Sequence, residues 1–125
     1  MYLIIIDYND KRPIYEQIIE RFQTLILNGA LEPDSQLPSV RSLAMELSIN
    51  VNTIQRAYSE LERSGFIYSV KGRGNFVRAD EHLIEKQREK LLHELQEHLK
   101  LCKENGISYD AVAECMNSIY PEVTI

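Results

Sequence analysis

Asn50, Asn52, Thr53, Gln55 and Arg56 crowd amide, hydroxyl and guanidinium groups into one short stretch of a 125-residue chain. These groups share one chemistry. Asn and Gln amides meet adenine bidentately, Arg meets guanine, and hydroxyls donate to phosphate oxygens. Ser39 and Arg41 add a hydroxyl and a cation upstream, and Lys71-Gly-Arg-Gly74 presents Lys71 and Arg73 from a slim, glycine-bracketed turn downstream. Each also has a plainer use. Arg56 can pair with Glu60 one turn on, a contact worth about 0.2–0.5 kcal/mol. Ser39 and Asn50 fit helix caps, and Lys71 and Arg73 would by themselves be solvated turn residues. Residue type alone leaves open which of Asn52, Gln55 and Arg56 reads a base.

The elements that must carry these residues narrow the choice. With Ile54 as reference on a helix of about 100° per residue, Ala57, Tyr58 and Leu61 fall within roughly 60° of it, and Asn52, Arg56, Ser59 and Arg63 fall opposite. One face is core and the other polar. Asn50 supplies an N-cap and Gly65, which accepts positive φ, a stop, so a helix of about four turns is predicted between them. Ser39 caps a shorter helix upstream, where Val40, Leu43, Ala44 and Leu47 form the apolar stripe. Two short amphipathic helices joined through Ser48-Ile-Asn50 make a helix-turn-helix, whose second helix sets its N-terminal residues on base edges in the major groove. Beyond Gly65 the period alternates. Phe66–Val70 and Asn75–Arg78 read as strands around the Lys71–Gly74 turn, a wing whose Arg73 suits a narrow, electronegative minor groove.

These motifs resemble the N-terminal domain of the GntR family of bacterial transcription regulators. Leu37-Pro-Ser-Val-Arg-Ser-Leu-Ala44, Asn52-Thr-Ile-Gln-Arg-Ala-Tyr58, Leu61-Glu-Arg-Ser-Gly65 and Gly72-Arg-Gly-Asn-Phe-Val77 carry the likeness in order, over about residues 10 to 78. The remainder resembles the short YtrA-type subfamily, in which a helix pair serves dimerisation. The resemblance implies a DNA contact for Arg41, recognition-helix contacts at or near Asn50, Asn52, Thr53 and Arg56, and a wing-tip contact for Arg73. Many members carry Arg where this chain has Val51 and Gln55, so their base contacts do not transfer.

Net charge is −5, but it is unevenly divided: residues 1–35 carry −3, residues 36–80 carry +2 and residues 81–125 carry −4. Only the reading segment is positive, and phosphate contact depends on the local face. The acidic ends are expected to discourage indiscriminate binding. An apolar content of 44% with 26% charge is that of an ordinary globular protein. No apolar run reaches the roughly 18 residues of a membrane span. Met1–Asp7 lacks the basic region and cleavage site of a signal peptide, and Cys102 and Cys115 are too few to frame a fold, so a cytoplasmic setting is expected.

Pro13 fits the first position of a helix in which Ile14, Ile18, Phe22, Leu25 and Ile26 repeat until about Asn28, with Gly29 as its stop. Tyr15 and Ile19 widen that stripe. Residues 2–6 fit a short edge strand, and Ala30–Gln36 a connector that turns at Pro33-Asp34. Asp80 marks the hinge to an appendage. There Ile84, Leu91, Leu92, Leu95 and Leu99 stripe one helix to about Lys103; beyond Gly106, Val112, Met116 and Ile119 stripe a second, capped by Ser108. Two such helices bury little between themselves, so packing against the same pair from a second copy is expected. His82, His93 and His98 lack ligand spacing, and no nucleophile elbow or Walker loop occurs. Neither metal, cofactor nor enzymatic activity is expected.

The expected fold is mainly α with a small β wing: a winged helix-turn-helix DNA-binding domain over residues 1–80, then a C-terminal helix pair for dimerisation over residues 81–125. The expected partners are a double-stranded DNA operator and a second copy of the chain, with no membrane contact and any small-molecule effector left open. The expected function is sequence-specific transcription regulation, as a repressor on an inverted repeat; a transporter operon as target is what the resemblance implies. The rival is a winged-helix module that docks protein on the same polar face. It would show little affinity for any duplex.

Overall fold

The computed structural model describes residues 4–78 and 80–122. The elements run α1 (Ile14–Leu27), α2 (Val40–Leu47), α3 (Val51–Arg63), β1 (Ile67–Val70), β2 (Gly74–Val77), α4 (Glu81–Glu104) and α5 (Tyr109–Ile119). They divide into two compact units, Met1–Ile84 and Glu85–Ile125. No described helix is long and apolar enough to cross a membrane.

The first unit closes around the stripes predicted from spacing. Ile18, Phe22, Leu25 and Ile26 of α1 meet Ile54, Ala57, Tyr58 and Leu61 of α3, with Leu43 and Ala44 of α2 and Phe66, Ile67 and Val77 of the wing completing the core. Fully burying one such aliphatic or aromatic side chain contributes about 1.5–3 kcal/mol. Phe22 and Tyr58 pack edge to face, 5.7 Å between centroids. The Tyr58 hydroxyl donates to the Pro38 carbonyl at 2.7 Å, so the largest core side chain is polar-satisfied and ties α3 to the lead-in of α2. Burial pushes the Tyr58 phenol well above its ordinary range.

Three features differ from the sequence expectation. Pro13 is the N-cap of α1 rather than its first helical residue, with φ −54° and ψ 148°, and its carbonyl accepts from Glu16 N at 3.1 Å and Gln17 N at 3.3 Å. Gln17 is buried, a polar residue inside an apolar stripe. Its amide answers both main-chain groups of Asp7: Oε1 accepts from Asp7 N and Nε2 donates to Asp7 O, each at 3.0 Å. That exchange pins the leading segment, so Ile4 enters the core without strand pairing. Residues 2 and 3 of the expected edge strand lie outside the described residues.

The third difference concerns the connector. Pro33-Asp34 does turn, with Asp34 at φ 62°, but Ser35 to Leu37 then run antiparallel along β2. Val77 N donates to Ser35 O and Leu37 N to Asn75 O, both at 2.9 Å, and Gln36 forms a bridge with Phe76. The segment that leads into α2 is therefore also the third line of the wing.

In the second part of the chain, Asp80 Oδ1 accepts from His82 N at 3.0 Å and Leu83 N at 3.3 Å, capping α4. Gly106 takes φ 78° between the helices, and Ser108 Oγ caps α5 by accepting from Ala111 N at 3.1 Å. No described residue of α4 or α5 is buried. Leu91, Leu92, Leu95 and Leu99 remain 40–65% exposed, Met116 and Ile119 are exposed, and Ile84 and Val112 are half-buried.

Candidate nucleic-acid interface

Two capped helix starts open the candidate surface. Ser39 Oγ accepts from Ser42 N at 3.0 Å, and Asn50 Oδ1 accepts from Asn52 N at 2.8 Å. Each cap satisfies one first-turn amide at the positive end of its helix dipole. Arg41 is exposed in the first turn of α2, and Val51 and Asn52 are exposed in the first turn of α3. Thr53 is half-buried, its main-chain N–H donating to Asn50 O at 3.0 Å.

Contacts on its flanks fix how α3 presents its polar face. Glu62 Oε2 accepts from the main chain of Ser69 at 3.2 Å, tying the helix to β1. The Arg56 guanidinium lies over the Tyr15 ring, 3.7 Å from the centroid, tying it to α1. Glu60 pairs with Arg63, Nε donating to Oε1 at 3.0 Å, and not with Arg56 as spacing allowed. The Arg63 guanidinium holds the Glu60 carboxyl below its ordinary range. Asn52, Gln55 and Ser59 are exposed, with Gln55 Nε2 donating to Ser59 Oγ at 3.2 Å. An exposed amide bonded only to a hydroxyl gives up that bond readily, because water or a base edge replaces it at little net cost.

The wing pairs Ile67 with Val77 and Val70 with Gly74, and Arg73 N donates to Val70 O at 2.9 Å to close the three-residue tip. Gly72 at φ 79° and Gly74 at φ 118° take backbone conformations that other residues resist. Lys71 and Arg73 are exposed at that tip. Behind it, Tyr68 stacks on Phe76 at 5.6 Å and donates to Asp34 Oδ1 at 2.8 Å. That hydrogen bond, with some burial, raises the Tyr68 phenol above its ordinary range.

Ser39, Arg41, Asn50, Asn52, Gln55, Arg56, Lys71 and Arg73 thus lie exposed on one compact unit, Arg56 with its guanidinium over the Tyr15 ring of α1, while Thr53 is partly covered. The supporting residues Gln36, Asp34, Tyr68 and Glu62 are not legible from spacing. Their partners lie on other elements, and Gln36 reaches Arg73 O, 37 positions away.

The pattern of the family described as bacterial regulatory proteins, gntR family, matches residues 14–77. The HTH-type transcriptional repressor YtrA of Bacillus subtilis is 35% identical over 123 residues, covering 97% of this chain and 95% of that protein. A GntR family transcriptional regulator from Listeria monocytogenes superposes with a TM-score of 0.75 at 35% identity, covering 89% of this chain and 98% of its own. The DNA-binding domain of AraR, solved in complex with operator ORE1, superposes with a TM-score of 0.51 at 28% identity over 62% of this chain and 94% of its own. These relatives are transcription regulators and not enzymes. The capped helix pair, the glycine-bracketed wing and a family match that spans both make this chain a member of the gntR family, a winged-helix, DNA-binding transcription regulator.

Proposed function

We propose that the chain is a homodimeric repressor that reads a two-fold operator through α3 and grips its flanks through the wing. The observation that carries this reading is the capped start of α3, where Asn50 is fixed by its own cap while Asn52 and Gln55 face solvent on the same helix. Amides at a helix N-terminus match base edges in the major groove, and exposed Arg41, Lys71 and Arg73 match phosphate or the minor groove. Val51, 44% exposed in the first turn, gives this helix an apolar spot beside its amides.

Dimerisation follows from the appendage. A stripe of Leu91, Leu95 and Leu99 that stays open to solvent in one copy is covered economically by a second. Such a dimer sets two recognition helices on half-sites about one helical turn, or a multiple of it, apart. Bound across a promoter, it would exclude polymerase sterically. The repressor role is supported by the name of the YtrA relative, and a transporter operon remains the target implied by the YtrA-type resemblance. Selection of bound fragments from random duplexes tests the whole reading. An inverted repeat with fixed spacing is expected; failure to retain any duplex would leave the polar face as a protein-docking surface instead.

A further inference from the structure

The wing tip is soft by composition and firm in the structure. Arg73 stands between Gly72 and Gly74, residues that leave the backbone many conformations, and within the tip Arg73 N donates to Val70 O beyond the last strand pair, Val70 with Gly74. A second restraint comes from outside the hairpin. Gln36 Nε2 donates to the Arg73 carbonyl at 2.7 Å. Because a carbonyl only accepts, the amide nitrogen must face it, and the side chain has one orientation available.

The backbone of Gln36 is itself fixed. It bridges Phe76, while Leu37 N bonds Asn75 O and Val77 N bonds Ser35 O on either side. Gly74 completes the arrangement, since a Cβ at that position would stand 3.0 Å from Gln36 Nε2. Two residues on, Pro38 O accepts the Tyr58 hydroxyl of α3. A span of three residues therefore connects the wing tip to the recognition helix.

We propose that Gln36 is a positioning residue for DNA binding: by holding the Arg73 carbonyl it fixes the direction in which the Arg73 side chain leaves the tip, so that wing and recognition helix engage one duplex together. The proposal rests on the reading of the wing tip as a DNA contact. Among the described residues the Arg73 guanidinium has no side-chain partner, so the main chain is what restrains the point and direction at which that side chain departs. A fixed aim lowers the ordering cost of binding without adding a contact.

A double-mutant cycle in the full chain tests it, with affinity measured on the duplex recovered by selection. Gln36→Met keeps the length of the side chain and removes the donor; Arg73→Ala keeps the carbonyl and removes the guanidinium. Gln36→Met is expected to weaken binding about three- to ten-fold, with melting little changed, and to have no further effect in the Arg73→Ala background. Equal losses in both backgrounds would show Gln36 acting on DNA directly or through the fold, and would overturn the proposal, as would no loss in either. Arg73→Ala binding as tightly as the natural chain would remove the wing-contact reading itself, and that result is visible before Gln36 is altered.

Discussion

The Arg56 guanidinium stacks on the Tyr15 ring at 3.7 Å, joining the recognition helix to α1 across the edge of the presented face. A cation over an aromatic face at a partly exposed site is worth about 0.5–1 kcal/mol. Arg56→Ala is therefore expected to lower unfolding free energy by about that amount in a denaturant titration. Tyr15→Leu should cost a similar amount, and the double variant no more than either alone. Additive losses would show that the two side chains stabilise the protein separately.

Asn50 combines a cap with a place at the candidate interface, and two substitutions pull these apart. Asn50→Ala removes the acceptor for Asn52 N and is expected to cost about 1 kcal/mol of stability. Asn50→Asp keeps an acceptor, so melting should hold. A carboxylate beside phosphates should nevertheless weaken DNA binding at low salt. Unchanged affinity for Asn50→Asp would confine Asn50 to capping.

Much of this arrangement was legible because it is local. Ser39, Asn50 and Gly65 announce helix ends through their own backbone chemistry, and the stripe Ile54, Ala57, Tyr58 and Leu61 is a period that any single strand of text displays. What spacing could not display are bonds whose partners are far apart. Nothing near Gln17 predicts that its amide will meet Asp7, and nothing near Gln36 predicts Arg73. Arg56 shows the same limit from the other side. Its neighbour Glu60 offered a local pair, yet Glu60 went to Arg63 and the guanidinium found a ring on another helix.

The Tyr68–Asp34 bond gives a pH dependence with a definite sign. Tyr68 is raised above its ordinary value of 10.0, chiefly by donating to Asp34. A group raised in the folded state adds stability fully below its unfolded value, and that stability is lost as pH rises through the folded value. Phenolate absorbance attributable to Tyr68, taken as the difference from Tyr68→Phe, should thus develop at higher pH than that of an ordinary tyrosine. Asp34→Asn should bring it back toward the ordinary value; no movement would mean that the bond does not form in solution.

Gly74 makes a steric prediction for the wing. At φ 118° a side chain is strained wherever space exists, and here its Cβ would also meet Gln36 Nε2 at 3.0 Å. Gly74→Ala is expected to destabilise by about 1–3 kcal/mol, read by thermal or urea unfolding. Combining it with Gln36→Ala should recover the part due to crowding and leave the part due to backbone strain. Full recovery would assign the cost to crowding alone.

The open stripe of α4 ties oligomeric state to salt dependence. Leu95→Glu places a charge in the face proposed to be shared by two copies, and since Leu95 is 52% exposed in one copy, the fold of the first unit should not suffer. Sedimentation is expected to show a monomer. If a dimer neutralises about eight phosphates, its log–log salt slope is about −7, and a monomer on one half-site should give roughly half that value. A variant that stays dimeric would place the interface elsewhere. A monomer that keeps the full slope would mean that one copy already makes all the phosphate contacts, and the two-fold reading of the operator would fall with it.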